Sequence, residues 1–344
     1  MFFHLLKVQG SSTRFERNNG EYTRQTLLNM ILYETDHSNL PKLNITTYNI
    51  NHGNDYDNSN NSILRTTLHE LIFTSTIPNL VFLQECTQDV LDYLITLEEE
   101  NKDLIVLNSK KIINGNVKIY EKYEYFIFIL YSPVSELKIT NINNSTSSIN
   151  IMEVLSQKEK SILINDNRDN GLIYRKLLDS KRISIQNIAL EFTYKGNTRV
   201  IDFYNVHITS KPNLNYLHSH ILNKYLMPSN NHNKVILGDF NNIFNSYSIN
   251  VLKENKQQGM VVRSKSSKLR NINKVISNDL KFSNVTDFVY SNEIHKEYCK
   301  KCIDHILFED AMKLLAYENN MDVDYSSMKP SDHYYIKTTF ELNI

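Results

Sequence analysis

The sequence predicts an α/β protein built as a two-sheet sandwich, and three observations support this fold class. First, short runs of β-branched and aromatic residues recur from about Leu43 onward, and each run ends in a polar residue. Second, patterns with helical spacing lie between some of these runs. Third, other runs follow one another without a helix, so strand-helix crossovers are combined with consecutive strands.

The individual elements follow from these patterns. Helices are predicted at 63–74, 87–100 and 214–226, where apolar residues recur with the period of an amphipathic helix. Surface loops are predicted for the Asn- and Ser-rich segments 54–62 and 140–150 and for the basic segment 263–274. Strands are predicted at 43–50, 80–83, 125–131, 171–174, 183–194, 198–208, 235–237, 303–308 and 334–342.

We expect a single domain that follows an N-terminal extension. The sequence shows no repeat of solenoid period and no Pro-rich or Gly/Ser-rich linker. Residues 1–40 are expected to form the extension, with one amphipathic helix around 26–33, and residues 41–344 the domain. With 344 residues, of which 41% are apolar, the chain is long enough to bury a large core.

Charge and composition exclude several classes of protein. The 38 Lys and Arg residues balance the 38 Asp and Glu residues, so a polyanionic partner would have to be held locally. No apolar run approaches the roughly 20 residues of a membrane-spanning helix. We recognise no signal peptide, and the three cysteines are too few for a disulfide framework. These features favour an intracellular protein.

The polar residues at the ends of the predicted strands carry the functional signal. A single Asp or Asn at such a position is usually a turn former. Hard oxygen donors, amides and two histidines together are the side chains of a divalent-metal phosphodiesterase with acid-base histidines, and rigid strands aim them into one cleft. The set comprises Asn49, Glu85, His207, Asp239, Asn241, Asp304, Asp332 and His333.

Six short motifs carry a resemblance to a known family. In chain order they are Thr47-Tyr48-Asn49, Leu83-Gln84-Glu85, Asn205-Val206-His207, Gly238-Asp239-Phe240-Asn241, Asp304-His305-Ile306-Leu307 and Ser331-Asp332-His333. The series resembles the endonuclease/exonuclease/phosphatase superfamily, which has the deoxyribonuclease I-like fold. Each motif alone is weak, but six in this order, each at or beside an end of a predicted strand, are specific. The resemblance covers nearly the whole chain after the extension and implies a sandwich of the deoxyribonuclease I-like type.

Phosphodiester hydrolysis assigns expected roles to these residues, because it needs charge neutralisation on the phosphate, an aligned water and a proton for the leaving group. We expect Mg²⁺ or Mn²⁺ to be held by Glu85, with Asn49 and Asp332 as further candidate ligands. Asp239 and Asn241 would orient the attacking water or a phosphate oxygen, as the resemblance also implies.

The two histidines are the expected proton carriers. The resemblance implies that Asp304 orients the imidazole of His333 and that His207 is the second carrier. The sequence leaves open which histidine is the acid and which the base, since both titrate near neutral pH. His305 should point to the opposite face of its strand from Asp304, which predicts a structural role.

Two positions favour the deoxyribonuclease I branch of the superfamily. Proteins resembling apurinic endonucleases carry Tyr where this chain has His207, whereas deoxyribonuclease I, the genotoxin nuclease subunits and the sphingomyelinases carry His. The segment Asn167-Arg168-Asp169 resembles the Asn-Arg-Glu segment of deoxyribonuclease I, so Arg168, with Asn49, is expected to bind the scissile phosphate. We therefore expect a Mg²⁺-dependent endonuclease that acts on DNA.

Other functions stay open at this point, because a fold does not determine its substrate. The alternatives on the same scaffold are hydrolysis of a phospholipid, as in sphingomyelinases, of an inositol phosphate, or of a 5′-tyrosyl-DNA adduct. A catalytically inactive binding module is a third class, but every named position retains a competent residue type. Cys299 and Cys302 have zinc-knuckle spacing without a second pair, so we assign them no metal.

Overall fold

The computed structural model describes most of the body of the chain. The described residues are 31–32, 39–51, 58–109, 125–164, 182–210, 212–226, 232–243, 246, 249, 252, 283–284, 302–320 and 331–344. Outside them lie Arg168, Cys299, the strand predicted at 171–174, the basic segment 263–274, residues 54–57 of a predicted loop and most of the helix predicted around 26–33. The division into an extension at 1–40 and a domain at 41–344 stays a prediction.

In the described part of the chain, helices separate some of the strands, and other strands follow one another. The helices are α1 (Asn58–Phe73), α2 (Gln88–Glu100), α3 (Ile151–Val154), α4 (Gln157–Ile164) and α5 (Pro212–Leu226). None of the helices in the described ranges has the length and apolar character needed to cross a membrane. The strands are β1 (Ile31–Leu32), β2 (Lys42–Asn49), β3 (Asn79–Cys86), β4 (Leu104–Asn108), β5 (Tyr125–Tyr131), β6 (Lys138–Asn150), β7 (Arg182–Tyr194), β8 (Asn197–His207), β9 (Asn233–Asp239), β10 (Ser283–Asn284), β11 (Asp304–Phe308), β12 (Met312–Asn319) and β13 (Ile336–Leu342).

The strands form two mixed sheets. The first has the strand order β1-β12-β13-β2-β3-β5-β4, and the second has the order β10-β11-β9-β8-β7-β6. Strands β2 and β3 are parallel in the first sheet, and β8 and β9 are parallel in the second. Parallel neighbours need a crossover connection, which α1 supplies for the first pair and α5 for the second. The predicted two-sheet α/β sandwich is confirmed.

The sheets pack face to face with helices on both outer faces. In β3, Phe82 points inward and stacks on Phe203 of β8, with 5.5 Å between the ring centroids. Its neighbours Val81 and Leu83 point outward and pack in a cluster with α1 and α2. Ile221 of α5 belongs to the cluster that covers the outer face of the second sheet. Apolar residues therefore fill both the space between the sheets and the layers beneath the helices.

The two parallel pairs direct their carboxyl ends to the same end of the sandwich. Asn49, the last residue of β2, lies beside Gln84 of β3. His207, the last residue of β8, is in register with Asp239, the last residue of β9, and Asp304 of β11 pairs with Asp239 from the other side. The register of the strands thus gathers the predicted polar residues at one edge, where α/β folds place their ligand sites.

Strands β8 and β9 approach each other closely at Gly238. This residue has a φ of +132°, and a Cβ atom built on it would lie 2.0 Å from the carbonyl oxygen of Val206. No side chain fits at that distance, and the backbone conformation is one that favours glycine. The close approach brings the ends of the two strands side by side.

Three local predictions are wrong. Segment 140–150 is most of β6 instead of a surface loop, and residues 58–62 belong to α1. Ile31–Leu32 pair with β12 as a strand, where a helix was expected. Strand β6 consists mainly of Asn, Ser and Thr, and Asn in particular is depleted in strands, so its pairing with β7 stabilises it more than its own composition does. Strands β4 and β12 were not anticipated.

Candidate active site

Asp239 is the centre of a buried polar cluster at the carboxyl ends of the strands. Its side chain is 1% exposed. Its Oδ2 atom accepts hydrogen bonds from Nδ2 of Asn49 at 3.0 Å and from Nδ2 of Asn241 at 3.1 Å, and its Oδ1 accepts the backbone N–H of Asn241 at 2.7 Å. The Nε2 atoms of His207 and His333 lie 3.5 and 3.8 Å from the same Oδ2. Two amides and two imidazoles therefore converge on one carboxylate oxygen.

Glu85 supplies a second carboxylate to this cluster. Nδ2 of Asn49 donates to Oε1 of Glu85 at 3.0 Å, so one amide bridges Glu85 and Asp239. Nε2 of His207 lies 3.4 Å from the same Glu85 oxygen. Glu85 has a φ of +55°, a left-handed conformation that costs a non-glycine residue on the order of 1–3 kcal/mol. Such strain persists where the surrounding contacts determine the conformation.

Asp304 and His333 form a hydrogen-bonded pair, with 2.8 Å between Oδ2 and Nδ1. Burial raises the pKa of Asp304, and the hydrogen bond and charge of His333 oppose it, which leaves that pKa at about 6. Burial lowers the pKa of His333, but the hydrogen bond and charge of Asp304 outweigh it and raise that pKa to about 9. Between these pH values the pair is a carboxylate and an imidazolium. His333 then holds a proton on Nε2, the atom that faces Asp239.

Ser331 fastens the loop that carries His333 to the first sheet. Its hydroxyl donates to the carbonyl oxygen of Asn49 at 2.8 Å and accepts the backbone N–H of His333 at 3.1 Å. Asp332, between these two residues, has a side chain that is 68% exposed, and its Oδ1 lies 3.8 Å from Nε2 of His333. Ser331 therefore sets where His333 stands relative to Asn49.

His305 supports the loop that follows β9 from behind. It is fully buried, with Nε2 2.7 Å from the carbonyl oxygen of Asn242 and its ring edge-on to Phe240. In that loop Asn241 has a φ of +50° and donates through Nδ2 to the carbonyl oxygen of Ile208 at 2.8 Å. The placement of His305 matches the structural role predicted for it.

Among the described residues, two groups of side chains have the composition of a divalent-metal site. One is Glu85, His207 and Asp239, the other is Asp239, Asp304 and His333, and the possible ligand atoms within each group lie within 4.8 Å of one another. Mg²⁺ and Mn²⁺ prefer oxygen ligands, and each group contains two carboxylates and one histidine. The first group is the better candidate because the second already contains a short hydrogen bond between two of its members. In the second group the hydrogen bond between Asp304 and His333 occupies one nitrogen and one oxygen.

The two other predicted metal ligands have different surroundings. Oδ1 of Asn49 accepts the backbone N–H of Asn51 at 2.9 Å, while its Nδ2 faces the carboxylates. As placed, Asn49 therefore supports the carboxylates directly. Asp332 belongs to neither group of possible ligands within the described part of the chain. Metal binding by Asn49 and Asp332 stays a prediction, as does phosphate binding by Arg168.

Sequence reasoning missed the buried polar residues that support the site. Gln84 and Asn205 lie within the motifs, next to Glu85 and before His207, yet both are fully buried between the sheets. Ser331 was noted only as part of its motif. The signal available in the sequence was an amide in an otherwise apolar strand, which is unusual unless a partner satisfies it.

Comparison with known proteins identifies the fold. No protein-family model matches the chain, and no curated protein matches its sequence. Solved structures do match. The human Nocturnin catalytic domain with bound sulfate anion has a TM-score of 0.54 at 12% identity, covering 92% of this chain and 97% of that chain. The structure of ANGEL2, described as a 2′,3′-cyclic phosphatase, in complex with adenosine-2′,3′-vanadate has a TM-score of 0.55 at 13% identity, covering 92% and 99%. The chain has the deoxyribonuclease I-like fold.

At these identities the likeness shows the fold alone, and this is the deoxyribonuclease I-like fold that the six motifs predicted. A structure described as an endonuclease/exonuclease/phosphatase family protein from Bacteroides thetaiotaomicron has a TM-score of 0.48 at 13% identity over 89% of this chain and 99% of that chain. In this deoxyribonuclease I-like chain the candidate active site lies where the parallel pairs of both sheets end.

Proposed function

We propose that the protein is a divalent-metal-dependent phosphodiesterase whose substrate is DNA. The observation that carries the proposal is the convergence of Asn49, His207 and His333 on the buried carboxylate of Asp239, with Glu85 beside it. Carboxylates for a metal, an oriented water site and two imidazoles are what phosphodiester hydrolysis requires.

Glu85 would hold the metal ion, with Asn49 and Asp332 as further candidates and Asp239 in the same group of donors. When bound, Mg²⁺ or Mn²⁺ neutralises charge on a non-bridging phosphate oxygen and on the leaving alkoxide. Two carboxylates within reach of each other would repel without a cation, so the bridging amide of Asn49 keeps them together until the ion binds.

The protein's own groups would handle the protons. Asp239 and Asn241 orient the attacking water, whose oxygen forms the new bond to phosphorus while the bond to the leaving oxygen breaks. His333 is cationic near neutral pH and donates its Nε2 proton to the leaving oxygen, and Asp304 keeps it oriented and charged. His207 is the partner that accepts the proton of the water, which balances the reaction.

One sequence feature favours DNA among phosphodiester substrates, namely the resemblance of Asn167-Arg168-Asp169 to the segment that faces the scissile phosphate in deoxyribonuclease I. The histidine at 207, where proteins resembling apurinic endonucleases carry tyrosine, argues against abasic-site repair but is shared by nucleases and sphingomyelinases. The basic segment 263–274 would add contacts with the phosphate backbone, which a chain of zero net charge needs locally.

A substrate panel tests both the class and the substrate. It contains supercoiled plasmid, sphingomyelin micelles, an inositol phosphate, a 5′-tyrosyl oligonucleotide and adenosine 2′,3′-cyclic phosphate, each with Mg²⁺, Mn²⁺ or excess EDTA. Asp239→Asn, purified in parallel, controls for contaminating nucleases. We expect the wild-type protein to cleave the plasmid in a metal-dependent reaction, and we expect Asp239→Asn not to cleave it. Turnover of a different substrate with the plasmid left intact, or release of tyrosine from the oligonucleotide without cleavage of its internal phosphodiester bonds, would overturn the assignment to DNA phosphodiester hydrolysis. No turnover on any substrate would overturn the class.

A further inference from the structure

A pair of buried amides joins β3 of the first sheet to β8 of the second. Nε2 of Gln84 donates to Oδ1 of Asn205 at 2.6 Å, and Nδ2 of Asn205 donates back to the carbonyl oxygen of Leu83 at 3.1 Å. Both side chains are fully buried. We call these two side chains and the Leu83 carbonyl the amide clasp. Glu85 directly follows Gln84, and His207 lies two residues after Asn205.

Further buried groups fix the orientation of the amide clasp. Nε2 of Gln84 also donates to Oγ1 of Thr47 at 3.1 Å, and Nδ2 of Asn205 also donates to Oε1 of Gln186 at 3.2 Å. Nε2 of Gln186 in turn donates to the carbonyl oxygen of Leu107 at 3.1 Å. The network therefore contacts β2, β3 and β4 of one sheet and β7 and β8 of the other. Buried networks of this kind specify one arrangement, because an amide that loses its partner in the core is costly.

The separation of Glu85 and His207 depends on how the two sheets are placed. Glu85 belongs to β3 and His207 to β8, strands of different sheets, so no ladder of backbone hydrogen bonds links them. Yet Oε1 of Glu85 and Nε2 of His207 lie 3.4 Å apart. The hydrophobic stabilisation of the apolar packing between the sheets is non-directional. The amide clasp is directional and lies within two residues of both groups.

The backbone around Gln84 also depends on this anchoring. The pairing of β3 with β5 is interrupted between Leu83 and Cys86. Within this interruption Glu85, the residue after Gln84, has a left-handed φ of +55°. The carbonyl oxygen of Gln84 accepts the backbone N–H of Ile50 at 3.2 Å. Gln84 is therefore held through both its side chain and its backbone at the point where the strand departs from regular geometry.

We propose that Gln84 and Asn205 are positioning residues, and that the amide clasp holds Glu85 and His207 at the separation needed for metal binding and phosphodiester hydrolysis. The inference rests on the proposed function. It goes further by assigning a role in catalysis to two residues that do not touch the substrate.

The test compares Gln84→Met with Asn79→Leu. Gln84→Met keeps the length of the side chain and removes its donor. Asn79 is a fully buried amide at the start of the same strand, with Nδ2 donating to the carbonyl oxygen of Ile72 at 3.0 Å, so Asn79→Leu is a matched loss far from the site. The melting temperature, the Mn²⁺ dissociation constant from electron paramagnetic resonance, and kcat and KM are measured for both variants and the wild type. Asn205→Ser breaks the clasp from the other strand if Gln84→Met does not fold.

Both variants should melt at a lower temperature. Only Gln84→Met should weaken Mn²⁺ binding and lower kcat by about tenfold or more with KM little changed, because small misplacements of catalytic groups are expensive. Wild-type Mn²⁺ affinity and kcat in folded Gln84→Met would overturn the inference and leave the proposed function standing. Equal losses of Mn²⁺ affinity and kcat in Asn79→Leu would also overturn it, since they would indicate general destabilisation.

The Mn²⁺ measurement separates this inference from the proposed function. A wild-type protein that binds Mn²⁺ but hydrolyses no substrate would overturn the proposed function. Weaker Mn²⁺ binding in Gln84→Met than in Asn79→Leu would still support the amide clasp, and equal binding would overturn it. A wild-type protein that neither binds Mn²⁺ nor hydrolyses a substrate would overturn both.

Discussion

The hydrogen bond between Asp304 and His333 joins the two sheets at the candidate active site. Asp304 is the first residue of β11 in the second sheet, and His333 precedes β13 in the first. Their Oδ2 and Nδ1 atoms are 2.8 Å apart. Because Asp304 is buried and His333 is charged near neutral pH, this contact both crosses the sandwich and orients a proton donor. The same pair of residues therefore links the two sheets and orients the proton donor of the candidate site.

Replacing either catalytic histidine should abolish most of the activity without unfolding the protein. We expect His207→Ala and His333→Ala each to lower kcat by about 10²-fold or more, the range for loss of a positioned acid or base. The double variant should be little worse than the worse single one, because groups that act as a unit are not additive. The measurements are kcat on plasmid DNA and the melting temperature of each variant. A destabilised but fully active His207→Ala would argue for a purely structural histidine.

Glu85→Gln should weaken metal binding, since it replaces a full carboxylate charge in the group of possible ligands by a neutral amide of the same shape. The midpoint of activation by Mg²⁺ should rise about tenfold or more, and excess EDTA should stop the wild-type reaction. Glu136→Gln is the control, because Glu136 is exposed in the turn before β6. Full turnover in excess EDTA, or equal midpoints in the two variants, would contradict the prediction.

Ser331→Ala should lower kcat, although its effect on the free energy of unfolding should be small. The variant loses the hydrogen bond that ties the His333 loop to Asn49, and a net loss of about 1 kcal/mol in unfolding free energy is typical for one such bond. Thr338→Val is a matched control, because the Thr338 hydroxyl donates to the carbonyl oxygen of Ile45 at 2.9 Å, also on β2. Both variants should lose similar stability in urea unfolding. If Thr338→Val lost as much activity as Ser331→Ala, the positioning role of Ser331 would be wrong.

The protein should lose stability on mild acidification because of two buried histidines on α5. Burial lowers the pKa of His218 to about 4 and is the main cause that lowers the pKa of His220 to about 3. In the unfolded chain both would take up protons below about pH 6.5, while the folded protein would not. Unfolding then binds protons, so the unfolding free energy should fall as the pH drops from about 6.5 towards 4, by about 1.4 kcal/mol per pH unit for each histidine.

Urea unfolding between pH 7 and pH 5 checks this dependence, in roughly the range where histidines titrate and unperturbed carboxylates do not. His218→Leu removes one of the two groups, so its unfolding free energy should fall less steeply over this range. A slope identical to that of the wild-type protein would show that His218 does not contribute.

The extent to which sequence predicted this fold varies with the kind of element. Strand β5 was predicted with its observed boundaries, because Tyr125–Tyr131 is an unbroken apolar run in a chain rich in polar residues. Strand β6 was missed because its stability comes from twelve paired positions along β7, which no local pattern in Lys138–Asn150 reveals. Backbone pairing between distant segments is invisible in composition.

The residues of the candidate site also differ in whether the sequence predicts their role. Asp239, His207 and His333 could be picked out because each lies at or beside an end of an apolar run and belongs to a motif of ordered spacing. Gln84 and Asn205 could not be assigned a role, because the hydrogen bond between them joins positions 121 residues apart. Ordinary strand-end chemistry identifies the groups that face the cleft, whereas the groups that hold them become visible only when the sheets are packed.

Gly238 makes the site vulnerable to mutation at a position that carries no chemistry. Replacing a catalytic residue such as His333 should leave a folded but inactive protein. Any side chain at Gly238 would collide with the carbonyl oxygen of Val206 and force β8 and β9 apart, so His207 and Asp239 would be displaced together. In a library of random variants selected for folding alone, this codon should tolerate fewer amino acids than any of the catalytic codons around it.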